Sequence, residues 1–338
     1  MKKNNILGID IGQNRLKLAL VSNGSVKKTA SAEMPDGALK EGRIDPVDMV
    51  ADLLKETMKT AGIHATSAAL AIPGENTFIK HIDMPLMALE QLKKNLPYEF
   101  NDFIDGDPSN FVYDYITVDE PDEPMEEEDE EGKRLSLLGV AAPKEYLQNM
   151  QALLKRAGLK LTIAAPELGA YASLIRERGD QVEVSGGEFA FVDLGYGRIR
   201  LFMFKNDTFM TSRELEWGIS DIVSCIADEQ GVDHFTAKSY LEANFEDCQE
   251  LEKVRNRFDL IATELKRSLD FYRFSNPDSQ LRDIWITGGG SYIRPLIDEI
   301  VYQLDDIMIH STEELLPELE DDEFGNLYLK AAGIAMNQ

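Results

Sequence analysis

Cysteine, histidine and positive charge are scarce in this chain, and each scarcity removes a class of function. Cys225 and Cys248 are the two cysteines in 338 residues. They provide no disulfide framework and fit a reducing compartment, so the cytoplasm is the expected setting. His64, His81, His234 and His310 are scattered, with no pair at metal-ligand spacing, and no zinc-type site is expected. Lysine and arginine total 35 against 61 aspartates and glutamates, a net charge of −26. So acidic a chain disfavours broad attraction to nucleic acid or anionic lipid. Long apolar runs are missing as well. No stretch approaches the roughly 18 to 20 apolar residues that span a bilayer, and MKKNN, followed by only about six apolar-leaning residues before Asp10, does not read as a signal peptide.

What is present is ample material for buried cores, with 43% hydrophobic and 28% charged residues. The length exceeds the usual ceiling of one compact core, so two lobes with an insertion are the natural expectation. Residues 119–131, DEPDEPMEEEDEE, carry ten acidic groups and almost nothing to bury, the composition of a solvated spacer. Removing it changes the net charge from −26 to −16, so the remainder is still acidic.

The chain matches itself. Asp10-Ile-Gly12-Gln13-Asn14-Arg15-Leu-Lys17-Leu18 aligns without a gap, 183 residues on, with Asp193-Leu-Gly195-Tyr196-Gly197-Arg198-Ile-Arg200-Leu201. The match runs on to Asn23-Gly24 against Asn206-Asp207, two-residue hairpin signals. Each half is predicted to open as strand, tight loop, strand, turn, strand. The leading strands, 6–10 and 189–193, are apolar runs that end in a carboxylate, as expected of buried strands delivering a polar group to a cleft.

Between the repeats the pattern predicts a helix beginning at Asp45 and Pro46 and closing at Gly62, then a strand over 68–72. Over 80–163 strands alternate with helices near 89–100 and 144–157, read as an α+β subdomain inserted in a first lobe made of 1–79 and 164–185. A helix is expected over 167–178, leading through Gly186-Gly187 into a second lobe over 186–338. There, helices near 220–229, 236–242 and 251–274 precede a strand at 283–287, Gly288-Gly289-Gly290, a helix at 292–304 and a final helix from Leu327.

A triphosphate with magnesium needs carboxylates near the metal, backbone N–H groups on phosphate oxygens and an uncrowding cation. Gly12 and Gly195 let backbone approach phosphate, Asn14 and Gly197 tolerate a left-handed conformation, and Lys17 would reach back from the outgoing strand. One Asp-x-Gly loop alone is weak evidence, but two in ungapped register are specific.

The two hairpins and the late Ile-Thr-Gly-Gly-Gly resemble the first phosphate, second phosphate and adenosine motifs of the actin, heat-shock chaperone and sugar-kinase superfamily. Within it GIDIG, IDMP at 82–85, FVDLG, SRELEWG, ATELKRSLDFY and KAAGIAM resemble, nearly end to end, the PilM family, cytoplasmic actin-like proteins of type IV pilus assembly. The resemblance implies a two-lobed actin-like (ribonuclease-H-type) α/β fold with ATP and magnesium as cofactors. It implies Asp10, Gly12, Gln13, Asn14 and Lys17 on one side of the phosphates and Asp193, Gly195, Tyr196, Gly197 and Gly218 on the other, with Asp10 and Asp193 nearest the metal. Gly288, Gly289 and Gly290 would lie near the nucleoside, and Glu264 with Lys266 or Arg267 near ribose and adenine. Relatives carry Ser or Thr where this chain has Gln13 and Asn14, and an acidic residue where it has Ala165. Glu167 is the remaining candidate to orient water, or else only a helix-start charge, and hydrolysis is expected to be slow or absent.

The resemblance further implies a partner, the N-terminal cytoplasmic tail of a PilN-like inner-membrane protein, received by the insert and recruiting the chain to the membrane's inner face. Met84, Leu86, Met87 and Leu89 would either line that groove or pack the insert's own helix. Self-association is left open. Two other functions share this fold: a small-molecule kinase, for which no catalytic carboxylate is evident, and an FtsA-like division protein. The tail LKAAGIAMNQ, with Lys330 its one basic residue, lacks the basic amphipathic helix that direct lipid anchoring requires.

Overall fold

A computed structural model describes residues 5–40, 42–118, 134–179, 182, 187–206 and 208–337. The acidic segment 119–131, together with Gly186 and Asp207, lies outside the described residues. The chain opens with β1 (Asn5–Ile11), β2 (Arg15–Ser22) and β3 (Ser25–Glu33), a ribbon of β4 (Leu39–Lys40) and β5 (Arg43–Ile44), α1 (Val47–Thr60) and β6 (Ser67–Ile72). There follow β7 (Phe78–Pro85), α2 (Leu89–Glu99), β8 (Phe111–Thr117) and β9 (Arg134–Pro143), then α3 (Lys144–Arg156), β10 (Lys160–Pro166) and α4 (Glu167–Arg178). The second half contains β11 (Glu188–Leu194), β12 (Ile199–Lys205), β13 (Thr208–Leu215), α5 (Ile219–Gln230), α6 (His234–Ala243) and α7 (Glu252–Ser275). It closes with β14 (Asp283–Thr287), α8 (Arg294–Gln303), β15 (Met308–His310) and α9 (Leu329–Met336).

Two sheets repeat one plan. The first has the order β10-β6-β1-β2-β3 and the second β15-β14-β11-β12-β13, each with three antiparallel strands extended by two parallel ones. The ungapped sequence match is also a register match. Asp10 opposes Lys17 and Asp193 opposes Arg200, and the irregularity between Leu20 and Val21 recurs between Met203 and Phe204. Asn23 and Asn206 both take positive φ, 52° and 54°, as their short polar side chains permit in a hairpin turn.

The insert is a three-stranded sheet, β7-β9-β8, covered by α2 around Ile82, Leu92, Leu96 and Phe100. Its boundary differs from the expected residue 163. β10 pairs with β6 in parallel and α3 packs on α1, so the separate sheet ends at Pro143. The cause is pairing: β10 completes the two-strand parallel extension of the first sheet, a contact that strand periodicity alone does not specify.

A second boundary also moves. α9, expected in the second lobe, packs on β1, β2 and α4, and with α4 forms a layer between the two sheets. Tyr171 of α4 stacks on Phe191 with centroids 4.5 Å apart, while Ala331 and Ala335 of α9 join the same core. Glycine makes this approach possible. A Cβ on Gly8 would lie 1.7 Å from the Ala331 carbonyl oxygen, and one on Gly333 would lie 2.1 Å from that of Ala170.

Candidate functional site

The two hairpin loops face one another across an inter-lobe cleft of about 830 Å³. Its lining carries as many lysines and arginines as aspartates and glutamates, in a chain whose net charge is −26. The cleft is thus locally far less repulsive to phosphate than the rest of the surface.

Asp10 and Asp193, at the ends of β1 and β11, are 5% and 6% exposed. Lys17 donates to Asp10 Oδ2 at 2.9 Å. Lys330 enters from α9 and places Nζ 2.7 Å from Asp193 Oδ2, 3.0 Å from Glu167 Oε2 and 3.8 Å from Asp10 Oδ1. Carboxylates from β1, α4 and β11 therefore converge on one ammonium. Burial would raise the Asp10 and Asp193 carboxyls, but Lys17 and Lys330 outweigh it, holding Asp10 below its ordinary value and Asp193 down to about 2. Burial would likewise strip the proton from Lys330, and Asp10, Asp193 and Glu167 reverse that and hold it well above the ordinary lysine range.

Arg200, which the internal alignment matches to Lys17, extends the network. Its guanidinium lies 2.6 Å from Glu75, 2.7 Å from Glu214 and 3.3 Å from Glu167. Glu167, 3% exposed at the first turn of α4, accepts from the Gly74 N–H at 3.2 Å and from Lys330. Both its oxygens are engaged, and Glu167 bridges Lys330 and Arg200.

The remaining expected residues divide into three groups. Gly12, Gln13, Asn14, Gly195, Tyr196, Gly197 and Gly289 line the cleft. Gly288, Gly290 and Gly218 shape it from behind: with Gly288 at φ +86°, a Cβ would lie 2.5 Å from Asp193 Oδ1, and one on Gly218 would lie 2.4 Å from the Tyr196 carbonyl. Neither Asn14 nor Gly197 takes the left-handed conformation expected of it. At Gly197 a Cβ would meet only the tip of Gln13, an exposed side chain that reaches over from the opposite loop and can move aside. Glu264, Lys266 and Arg267 are not brought to the cleft. Lys266 donates to the Gln303 carbonyl at the end of α8 and Arg267 pairs with Glu264 on the helix surface, because their stretch of α7 faces α8.

Lys330 is the cleft residue that sequence reading missed; its one signal was a lone charge in an apolar helix. Its presence also decides the fit of the expected cofactors. Cations, glycine-opened loop backbone and volume fit a polyphosphate. A magnesium ion held by Asp10 and Asp193 does not fit, because the ammonium stands between them, and among the described residues no group of three His, Cys, Asp or Glu side chains is placed to hold a metal.

Against this geometry, the model of the type IV pilus assembly protein PilM family matches residues 8–314. The chain belongs to the PilM family. Among solved structures, this PilM-family chain is similar to a PilM-PilN type IV pilus biogenesis complex, with TM-score 0.82 and 23% identity over 98% of this chain and 97% of that one. It is also similar to the ethanolamine utilization protein EutJ from Carboxydothermus hydrogenoformans, with TM-score 0.62 and 13% identity over 100% and 91%. No curated protein sequence matches the chain. The two repeated five-stranded sheets give the chain two lobes, and it is a pilus assembly protein; the kinase and cell-division alternatives are not favoured. Among its described residues no helix is long and apolar enough to cross a membrane.

Proposed function

We propose that this PilM-family chain is an ATP-binding scaffold of the type IV pilus machinery that works at the cytoplasmic face of the inner membrane. The observation that carries the nucleotide reading is the pair of hairpins, identical in register, presenting Gly12 and Gly195 and their cations to one cleft. Phosphates would lie between the loops, on backbone N–H groups and Lys17. The base would lie toward Gly289, where Tyr292 and Phe324 pair with centroids 5.4 Å apart. Bound ATP serves to fix the lobes; turnover is slow, because Glu167 is committed to Lys330 and Arg200.

The scaffold's partner is an extended N-terminal tail of a PilN-like membrane protein, bound on the insert. The support is the open edge of β8 with Val112 and Ile116 at 45% and 55% exposure, a surface that accepts a strand through backbone hydrogen bonds. Of the four candidate groove residues, Met84 and Met87 pack the insert's core, whereas Leu86 and Leu89 are exposed.

Titration calorimetry tests the nucleotide site. Lys17→Ala and Gly195→Val are expected to weaken ATP binding at least about tenfold in folded protein, Lys17→Ala by removing a phosphate-facing cation and Gly195→Val through a Cβ placed 2.4 Å from the Arg198 carbonyl. Unchanged affinity in both would refute the assignment, and unassisted hydrolysis at tens per second would refute the scaffold role.

A further inference from the structure

We propose, resting on the nucleotide reading above, that Lys330 is a built-in counter-ion standing where a divalent cation would sit between the two loop carboxylates. The chain would therefore bind ATP with little dependence on magnesium.

Magnesium demands near-octahedral oxygens at about 2.0–2.1 Å. Between Asp10 and Asp193 the structure instead places an ammonium within 4 Å of three carboxylates, with Nζ 2.7 Å from Asp193, 3.0 Å from Glu167 and 3.8 Å from Asp10. This lysine has no solvent role. It is 8% exposed, and it is the sole charged residue of a helix in which all eight residues are buried.

The helix that carries it is fixed in place. α9 meets β1 at Gly8 and α4 at Gly333 with no room even for a Cβ, so the Lys330 backbone cannot move away from the carboxylates. Displacing the ammonium would strand three buried carboxylates, a far less favourable state than the paired one. A dication placed beside it would meet a like charge within a few ångströms. Asp10, Asp193 and Glu167 each already face a cation, Lys17 at Asp10, Lys330 at Asp193 and Glu167, and Arg200, shared with Glu75 and Glu214, at Glu167. The polyphosphate then needs no metal to offset those carboxylates.

The test compares ATP binding by the full chain in magnesium and in EDTA, and adds a manganese titration without nucleotide, followed by electron paramagnetic resonance. Wild-type Kd values in the two buffers are expected to agree within about threefold, and wild-type protein should hold no manganese at Asp193. Lys330→Gln should bind ATP at least about tenfold tighter with magnesium than with EDTA. It should also gain one manganese site that Asp193→Asn removes. If wild-type ATP binding is at least about tenfold tighter with magnesium, or wild-type protein binds manganese at a site lost in Asp193→Asn, the counter-ion proposal is overturned while the nucleotide reading stands. If ATP binds in neither buffer, both fall. Should Lys330→Gln fail to fold, the wild-type measurements decide by themselves.

Discussion

At the residue scale, Asp193 shows how opposing effects settle a charge. Burial would raise its carboxyl above 3.8, yet Lys330 and Lys17 bring it down to about 2. A carboxyl whose folded value lies below its unfolded one stabilises the protein fully above the unfolded value, and that stabilisation is lost as pH falls through the folded value. The window here is about pH 4 to 2, with Asp10 shifted in the same direction, and the amount is on the order of 2 kcal/mol. Denaturant unfolding of wild type and Asp193→Asn should therefore show a stability gap at pH 7 that narrows below about pH 4. A gap independent of pH would contradict the ionised, paired state. Asp10 and Asp193 were legible in the sequence because a carboxylate ending a buried apolar strand has few other uses. Lys330 was not, since nothing local to KAAGIAM says which buried groups its ammonium meets.

At the element scale the repeat carries most of the information. Strand, loop, bulge and turn recur with one offset because each hairpin solves the same problem: ending a buried strand in a carboxylate while the next strand returns a cation opposite it. α9 is the element that the repeat does not explain. Its seat depends on Gly333, where a Cβ would lie 2.1 Å from the Ala170 carbonyl and 2.9 Å from Leu174. Gly333→Val should cost at least about 2 kcal/mol of stability and weaken ATP binding by carrying Lys330 out of place. Gly169→Ala on α4 is the control. Its Cβ meets ordinary contacts at 3.7 Å and 3.8 Å, so helix propensity should leave stability unchanged or raise it by up to about 1 kcal/mol. Equal thermal shifts for the two variants would show that α9 is not held by close approach.

At the scale of the whole molecule, charge pairs tie the lobes together across the cleft. Lys238 of α6 lies 2.8 Å from Glu33 of β3, and Arg200 of β12 lies 2.6 Å from Glu75. The insert also touches the second lobe through β7, with His81 Nε2 3.1 Å from the Met210 carbonyl, whereas among the described residues β8 pairs with β9 alone. A labelled tail peptide, followed by fluorescence anisotropy, is expected to bind with unchanged affinity when residues 119–132 are removed, because a run with ten acidic groups has almost nothing to bury against a peptide. Ile116→Asp, on an exposed β8 position, should weaken binding about tenfold by placing an unpaired charge under the peptide. Undiminished binding to folded protein lacking the whole insert would place the tail elsewhere.

The sequence by itself determined the two-lobed plan, the hairpin repeat, the paired carboxylates and the glycine-rich third segment. These are local patterns of burial and turn chemistry, and they are written in adjacent residues. Tertiary structure alone decided which sheet β10 joins, that α9 crosses back to the first sheet, that the 264–267 stretch of α7 faces α8, and that Lys330 lies between Asp10 and Asp193. Each of these is a meeting of segments far apart in the chain. Glu167 and Lys330 are 163 residues apart, and no periodicity or spacing within either segment encodes the other. The encounter is specified by close packing at Gly8 and Gly333, where the space for a helix is set by backbone from three elements at once.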